Sequence, residues 1–303
     1  MISTLQDLVA PLTEAEFLTH LRDRKVAFIP ASGPHRFETM LDWDELNHLI
    51  ENVHYPIGRL SVLRDSFSVV THVYLNDGGR LDPLAFSSVM DQGANLIFAR
   101  LDEYVPRLWR LCRQIAEQTG EQVTAVAIVT SGKGGALPLH YNKEDVCVLQ
   151  IAGSERWQLC GPPVVNPVKS MLDQPAPRSA PLFDEVLHAG DFLFLPAGYW
   201  HRRENGPGRS LHVSIVFEPP YGRDVLSSLA SQLAADETFK QPLTRYADAS
   251  ALAAHEAALK TRLIDQVQLW SLAGFLTQRA ARSKAGRIHI EGTRSDSDER
   301  SHD

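Results

Sequence analysis

Apolar residues recur at two different periods along the 303-residue chain, and the change of period divides it. Near the start, Thr13 followed by Glu16 is a capping-box pattern. Phe17, Leu18 and Leu21 then recur at helical spacing before the strand-like run Val26-Ala27-Phe28-Ile29-Pro30. Asp42 and Glu45 repeat the start signal ahead of Leu46, Leu49 and Ile50. A strand is predicted around Val69 to Leu75, stopped by the turn chemistry of Asn76-Asp77-Gly78-Gly79. A short helix near Pro83 to Asp91, a strand at Asn95 to Ala99 and an amphipathic helix from Glu103 to Gln118 follow, the last closed by Gly120. Val123 to Thr130 is β-branched and apolar enough for a buried strand.

From there to Pro219 the pattern is short strands punctuated by Gly153, Gly161-Pro162-Pro163, Gly190 and Gly206-Pro207-Gly208, which predicts a sandwich or small barrel. After Pro219-Pro220 the period returns to helical. Leu226, Leu229 and Leu233 share one face, and Leu259, Leu263, Val267 and Trp270 share another. The expected organisation is an N-terminal α/β flank over residues 1–94, a barrel core over 95–219, a helical segment over 220–285, and a polar, disordered tail over 286–303. The fold class is mainly β with helical flanks.

Composition narrows the function classes. A net charge of −7 with 44% hydrophobic residues is ordinary for a globular protein and gives no electrostatic footprint for nucleic acid. Cys112, Cys147 and Cys160 are odd in number and lack CxxC spacing, so buried free thiols are expected. The N-terminus has no basic, apolar leader pattern and no run reaches the length of a membrane span, so a cytoplasmic protein is expected.

The candidate chemistry lies in the barrel region. On an extended strand His140 and Asn142 project from one surface, and the segment Gly190 to His201 ends in a second histidine. Facing strands would gather His140, Asn142 and His201 into a cluster like a two-histidine, one-carboxylate iron site, with an amide where the carboxylate belongs.

Gly134-Gly135-Ala136 leading to His140, then Asp145-Val146, Leu149-Gln150, Gly153, Arg156-Trp157, the Gly190-Asp191 to His201 segment and Ser210-Leu211-His212-Val213-Ser214 together resemble the JmjC-type cupin oxygenases. The closest likeness is to the ribosomal oxygenase branch. The resemblance implies a double-stranded β-helix that binds Fe(II) through His140, Asn142 and His201. It also implies 2-oxoglutarate as cosubstrate, a protein or peptide side chain as the substrate hydroxylated, and a homodimer formed through the helices after the barrel.

The sequence departs from that family at two points. Its acidic metal ligand falls on Asn142, a neutral and weaker donor. Glu144 shares strand parity with His140 and is a possible substitute, whereas Asp145 should point away. The cosubstrate-clamping base falls on Glu155, with Arg156 beside it, so either Arg156 swings inward or Arg203, on the His201 face, takes the role. An Arg203–Glu155 ion pair filling the pocket is the competing reading. His188 and His212 are read as a strand-end and a core histidine, with a supporting role at the metal as the alternative. Three functions are compatible with these departures: a dioxygenase with an atypical site, a catalytically silent dimeric binding module, and a metal-dependent oxidase independent of 2-oxoglutarate.

Overall fold

The computed structural model describes residues 2–52, 58–64, 67–76, 80–132, 137–167, 177, 179–243 and 248–284. The Gly134-Gly135-Ala136 motif, residues 77–79 of the expected turn and the tail over 286–303 lie outside them. The chain forms two compact units, residues 1–220 and 221–303.

The first unit opens with helix α1 (Leu5–Val9) and α2 (Glu14–Asp23). The Thr13 hydroxyl accepts from the Glu16 backbone while the Glu16 carboxylate accepts from the Thr13 N–H, so the capping box forms as read. Strand β1 (Ala27–Ile29) and α3 (Trp43–Asn52) follow, with Asp42 Oδ1 accepting the Glu45 N–H at 2.8 Å. A hairpin of β2 (Leu60–Arg64) and β3 (Phe67–Ser68) was not legible in the sequence. The strand expected over Val69 to Leu75 is instead a 3-10 turn at Thr71–Val73. Val70 and Val73 are exposed there, and strand propensity without a neighbouring ladder does not make a strand.

Helix α4 (Pro83–Asp91), β4 (Asn95–Phe98) and α5 (Pro106–Thr119) match the expected elements, with α5 starting later because a 3-10 turn occupies Leu101–Glu103. On α5, Leu108, Leu111, Cys112 and Ile115 form the buried stripe. The barrel strands are β5 (Gln122–Thr130), β6 (Leu137–His140), β7 (Asp145–Ala152), β8 (Ser154–Cys160), β9 (Phe183–His188), β10 (Phe192–Leu195), β11 (Trp200–Asn205) and β12 (Ser210–Glu218).

All pairings are antiparallel. One sheet runs β1-β10-β7-β12-β5-β4-β2-β3 and the other β6-β11-β8-β9. This is a double-stranded β-helix, extended at both sides of the larger sheet by strands from the N-terminal part of the chain. Alternation divides its apolar residues between two cores. Cys147, Leu149, Phe192, Phe194, Leu211, Val213, Ile215 and Phe217 pack outward with Phe17 and the helices. Val146, Val148, Trp157, Leu159, Leu187, Leu193 and Leu195 fill the space between the sheets.

The second unit contains α6 (Gly222–Leu233), α7 (Glu237–Lys240), α8 (Ala249–Leu269) and α9 (Leu272–Lys284). Arg262 of α8 pairs with Asp236, and Gln266 with Gln232. Among the described residues no helix is long and apolar enough to cross a membrane.

Candidate active site

His140 and His201 are brought directly opposite each other on β6 and β11, their rings 4.3 Å apart. Each ring is fixed in the same way. His140 Nδ1 lies 2.7 Å from the Pro138 carbonyl and His201 Nδ1 lies 2.9 Å from that of Tyr199. A carbonyl only accepts, so in each ring Nδ1 carries the proton and Nε2 keeps a free lone pair, the tautomer a metal needs. Burial lowers the pKa of His140, and burial together with the neighbouring His140 pushes His201 down to about 3. Both imidazoles are therefore neutral at neutral pH, and protons do not compete with a cation there.

The turn before β11 is pinned from three sides. Gly198 N–H donates to the Asn142 carbonyl at 2.9 Å, Val164 N–H donates to the Gly198 carbonyl at 2.9 Å, and Asp145 Oδ1 accepts from Ala197 N–H at 2.6 Å. Gly198 has φ +85°, and a Cβ there would lie 2.1 Å from the Val164 carbonyl oxygen, so only glycine fits. Asp145, the first residue of β7, is thus a buried structural acceptor for the turn.

Strand β6 ends at His140, so the parity argument does not extend to Asn142 and Glu144. Asn142 sits half-buried in the following loop, joined through its carbonyl to the turn that carries His201. No described residue hydrogen-bonds to its side-chain amide. Glu144 is 2.8 Å from Lys143 Nζ in an ion pair, and no group of three or more His, Cys, Asp or Glu among the described residues is arranged to hold a metal. Glu144 does not join the two histidines.

On the next strand the alternation decides each cosubstrate candidate. Arg203 pairs with Trp157, and Glu155 with Asn205, so Arg203, Trp157, Glu155 and His201 share the inner face. Arg156 faces out: its guanidinium forks onto Asp184 with bonds of 2.7 and 2.8 Å, which rules out the inward swing. Arg203 Nη1 lies 3.6 Å from Glu155 Oε1, and both side chains are buried. His212, from β12 across the barrel, places Nδ1 2.8 Å from Glu155 Oε2, close but out of line for a hydrogen bond. Burial alone would raise the Glu155 carboxyl; Arg203 and His212 outweigh it and hold the pKa at about 2. The Arg203–Glu155 ion pair forms inside the barrel, and His212 is a buried barrel-interior residue. His188 is exposed on the edge strand.

Trp157, Gln150 and Ser210 carry part of the family resemblance but receive no role at the site from the sequence. The Trp157 ring stacks on His201 at 5.9 Å and meets His212 edge-on at 5.8 Å, joining the histidine end of the barrel to the charged end. Gln150 Nε2 donates to Ser210 Oγ at 2.7 Å. The alternations Glu155-x-Trp157 and Ser210-x-His212-x-Ser214 were the available signal, since each puts polar groups on the face of a buried strand.

Residues 99–225 match the model of the JmjC domain. The chain is 26% identical over 214 residues to the bifunctional lysine-specific demethylase and histidyl-hydroxylase NO66 of Drosophila mojavensis, covering 69% of this chain and 24% of that protein. It is 26% identical over 219 residues to ribosomal oxygenase 2 of Mus musculus, covering 70% and 47% respectively. The chain thus spans less than half the length of these relatives. The structure of the Escherichia coli ribosomal oxygenase YcfD with cobalt and 2-oxoglutarate superposes with a TM-score of 0.55 at 18% identity, over 86% of this chain and 68% of that one, a likeness of fold.

Proposed function

Proceeding from the JmjC domain that this chain carries over residues 99–225, we propose that the protein is a metal-dependent oxygenase that hydroxylates a side chain of a protein or peptide. The observation that carries this reading is the His140–His201 pair, opposed across two strands, each anchored at Nδ1 and each presenting a free Nε2. That donor set fits a divalent transition metal. His140 and His201 would hold Fe(II), with the Asn142 amide as a neutral third donor. Bound there, the metal supplies O2 activation, with 2-oxoglutarate or a related 2-oxo acid as the source of electrons.

The protein's own residues supply orientation and enclosure. Pro138 and Tyr199 fix the two rings, Trp157 packs against His201, and the apolar interior formed by Val146, Val148, Leu159, Leu193 and Leu195 keeps bulk water from the inner side. A neutral third ligand leaves one more positive charge on the metal than a carboxylate would and holds it less firmly. The exposed apolar residues of α8 and α9 support a homodimer through these helices.

Anaerobic titration with Fe(II) and a 2-oxo acid tests this. A visible charge-transfer band, followed in air by loss of CO2 from the 2-oxo acid, is the expected result. His140→Ala and His201→Ala each abolish metal binding, and Asn142→Asp tightens it at least tenfold. Metal binding by the doubly substituted protein equal to wild type would overturn the assignment.

The missing carboxylate favours a second reading, a silent JmjC fold kept as a dimeric binding module. Zinc or nickel bound without any turnover, before and after Asn142→Asp, would select it.

A further inference from the structure

Beyond the two histidines, the barrel interior is lined by polar atoms left without partners. Arg203 Nε, Trp157 Nε1, Gln150 Oε1 and His212 Nε2 are all buried, and none hydrogen-bonds to a described residue. Buried polar atoms are nearly always satisfied, so a cluster of orphans in one compartment marks a place completed by a ligand or by water. The cluster contains donors in Arg203 and Trp157 and acceptors in Gln150 and in both oxygens of Glu155, the latter engaged by charge with Arg203 and not by a hydrogen bond.

Its charge is set from within. Among the described residues Arg203 is the one buried lysine or arginine, and its carboxylate is already supplied by Glu155 at 3.6 Å. The pair is neutral, and the one other titratable ring against it, His212, already has its Nδ1 2.8 Å from the second Glu155 oxygen. An acidic ligand entering here would bring a second carboxylate to one guanidinium in a poorly solvated space, where like charges repel much more than in water. Trp157, stacked on His201 at 5.9 Å, places this cluster next to the two histidines.

We propose that this compartment receives an uncharged polar group and discriminates against carboxylates. Resting on the reading of His140 and His201 as metal ligands, the cosubstrate is a 2-oxo acid with a single carboxylate, whose far end is a neutral carbonyl or amide rather than the second carboxylate of 2-oxoglutarate. Glu155 is the specificity-determining residue. Arg203 Nε and Trp157 Nε1 donate to the neutral far end.

The test is calorimetric titration of the full chain loaded with redox-inert Ni(II), comparing 2-oxoglutarate with its 5-methyl ester. The ester is expected to bind at least tenfold more tightly to the wild type; equal or tighter binding of 2-oxoglutarate overturns the proposal. Glu155→Gln frees Arg203 and is expected to reverse the order, and an unchanged preference in the folded variant overturns the role of Glu155. A second measurement needs no metal: succinate is expected to raise the melting temperature of metal-free Glu155→Gln and not of the wild type. Stabilisation of the wild type by succinate overturns the proposal. Failure of Ni(II) to bind brings down the metal-site reading instead, while the succinate comparison still decides this one.

Discussion

At the scale of single residues, Glu155 is the position on which the interior turns. Its carboxylate is fully buried and balanced by Arg203 and His212. Removing one partner of such a pair leaves an uncompensated buried charge, so Arg203→Met is expected to cost about 3–5 kcal/mol in urea unfolding. The double change Glu155→Leu with Arg203→Met removes both charges and is expected to recover most of that loss. The sign of the pH dependence follows from the depressed pKa. Between the ordinary value of 4.5 and about 2, the unfolded chain binds a proton that the native Glu155 refuses. Its stabilisation is complete above pH 4.5 and is lost as pH falls toward 2. Glu155→Gln is expected to flatten the pH–stability profile of the metal-free protein across that window, and an unaltered slope would show that Glu155 is not ionised in the native state. Arg203 on the His201 face was readable from strand parity alone. That Glu155, and not a cosubstrate carboxylate, meets it is one of the two readings the sequence allows.

At the scale of elements, the turn from Pro196 to Gly198 positions His201. Gly198→Ala places a Cβ against the Val164 carbonyl at a positive φ, and a loss of about 1–3 kcal/mol is expected, seen as a lower unfolding midpoint. The same variant should weaken metal binding, because the turn also carries the link to Asn142. The cap of α2 provides a contrast far from the site. Thr13→Ala removes the capping hydroxyl and is expected to cost about 1 kcal/mol while leaving metal affinity unchanged. Caps, the α5 stripe and the helix from Pro83 to Asp91 were legible because they depend on residues within one or two turns. The Val69–Leu75 prediction failed for the complementary reason: a strand needs a partner along its length, and beyond Val69, whose N–H still donates to Val62 of β2, the chain enters a 3-10 turn.

At the scale of the whole molecule, the chain comprises a barrel unit and a helical unit. In the helical unit Leu263, Ile264 and Val267 are each about half exposed, which is unusual for an apolar run on one helix. The dimer proposed through this surface is expected to appear at twice the 33.7 kDa chain mass in light scattering. Leu263→Asp with Val267→Asp is expected to give monomer, and a wild type that is monomeric at micromolar concentration would remove the dimer from the account.

The sequence by itself determined the capped helices, the strand-rich middle, the two histidines as candidates and the face on which Arg203 stands. These follow from periodicity and short-range chemistry, which need no knowledge of distant neighbours. Only the tertiary structure decided that β6 stops at His140, leaving Asn142 and Glu144 off the strand, that Arg156 turns outward to Asp184, and that Glu155, Arg203 and His212 meet inside the barrel. Those outcomes depend on where a strand ends and which distant strand faces it. Ladder register and the enclosure of charge between two sheets fix both, and neither is encoded within a local window of sequence.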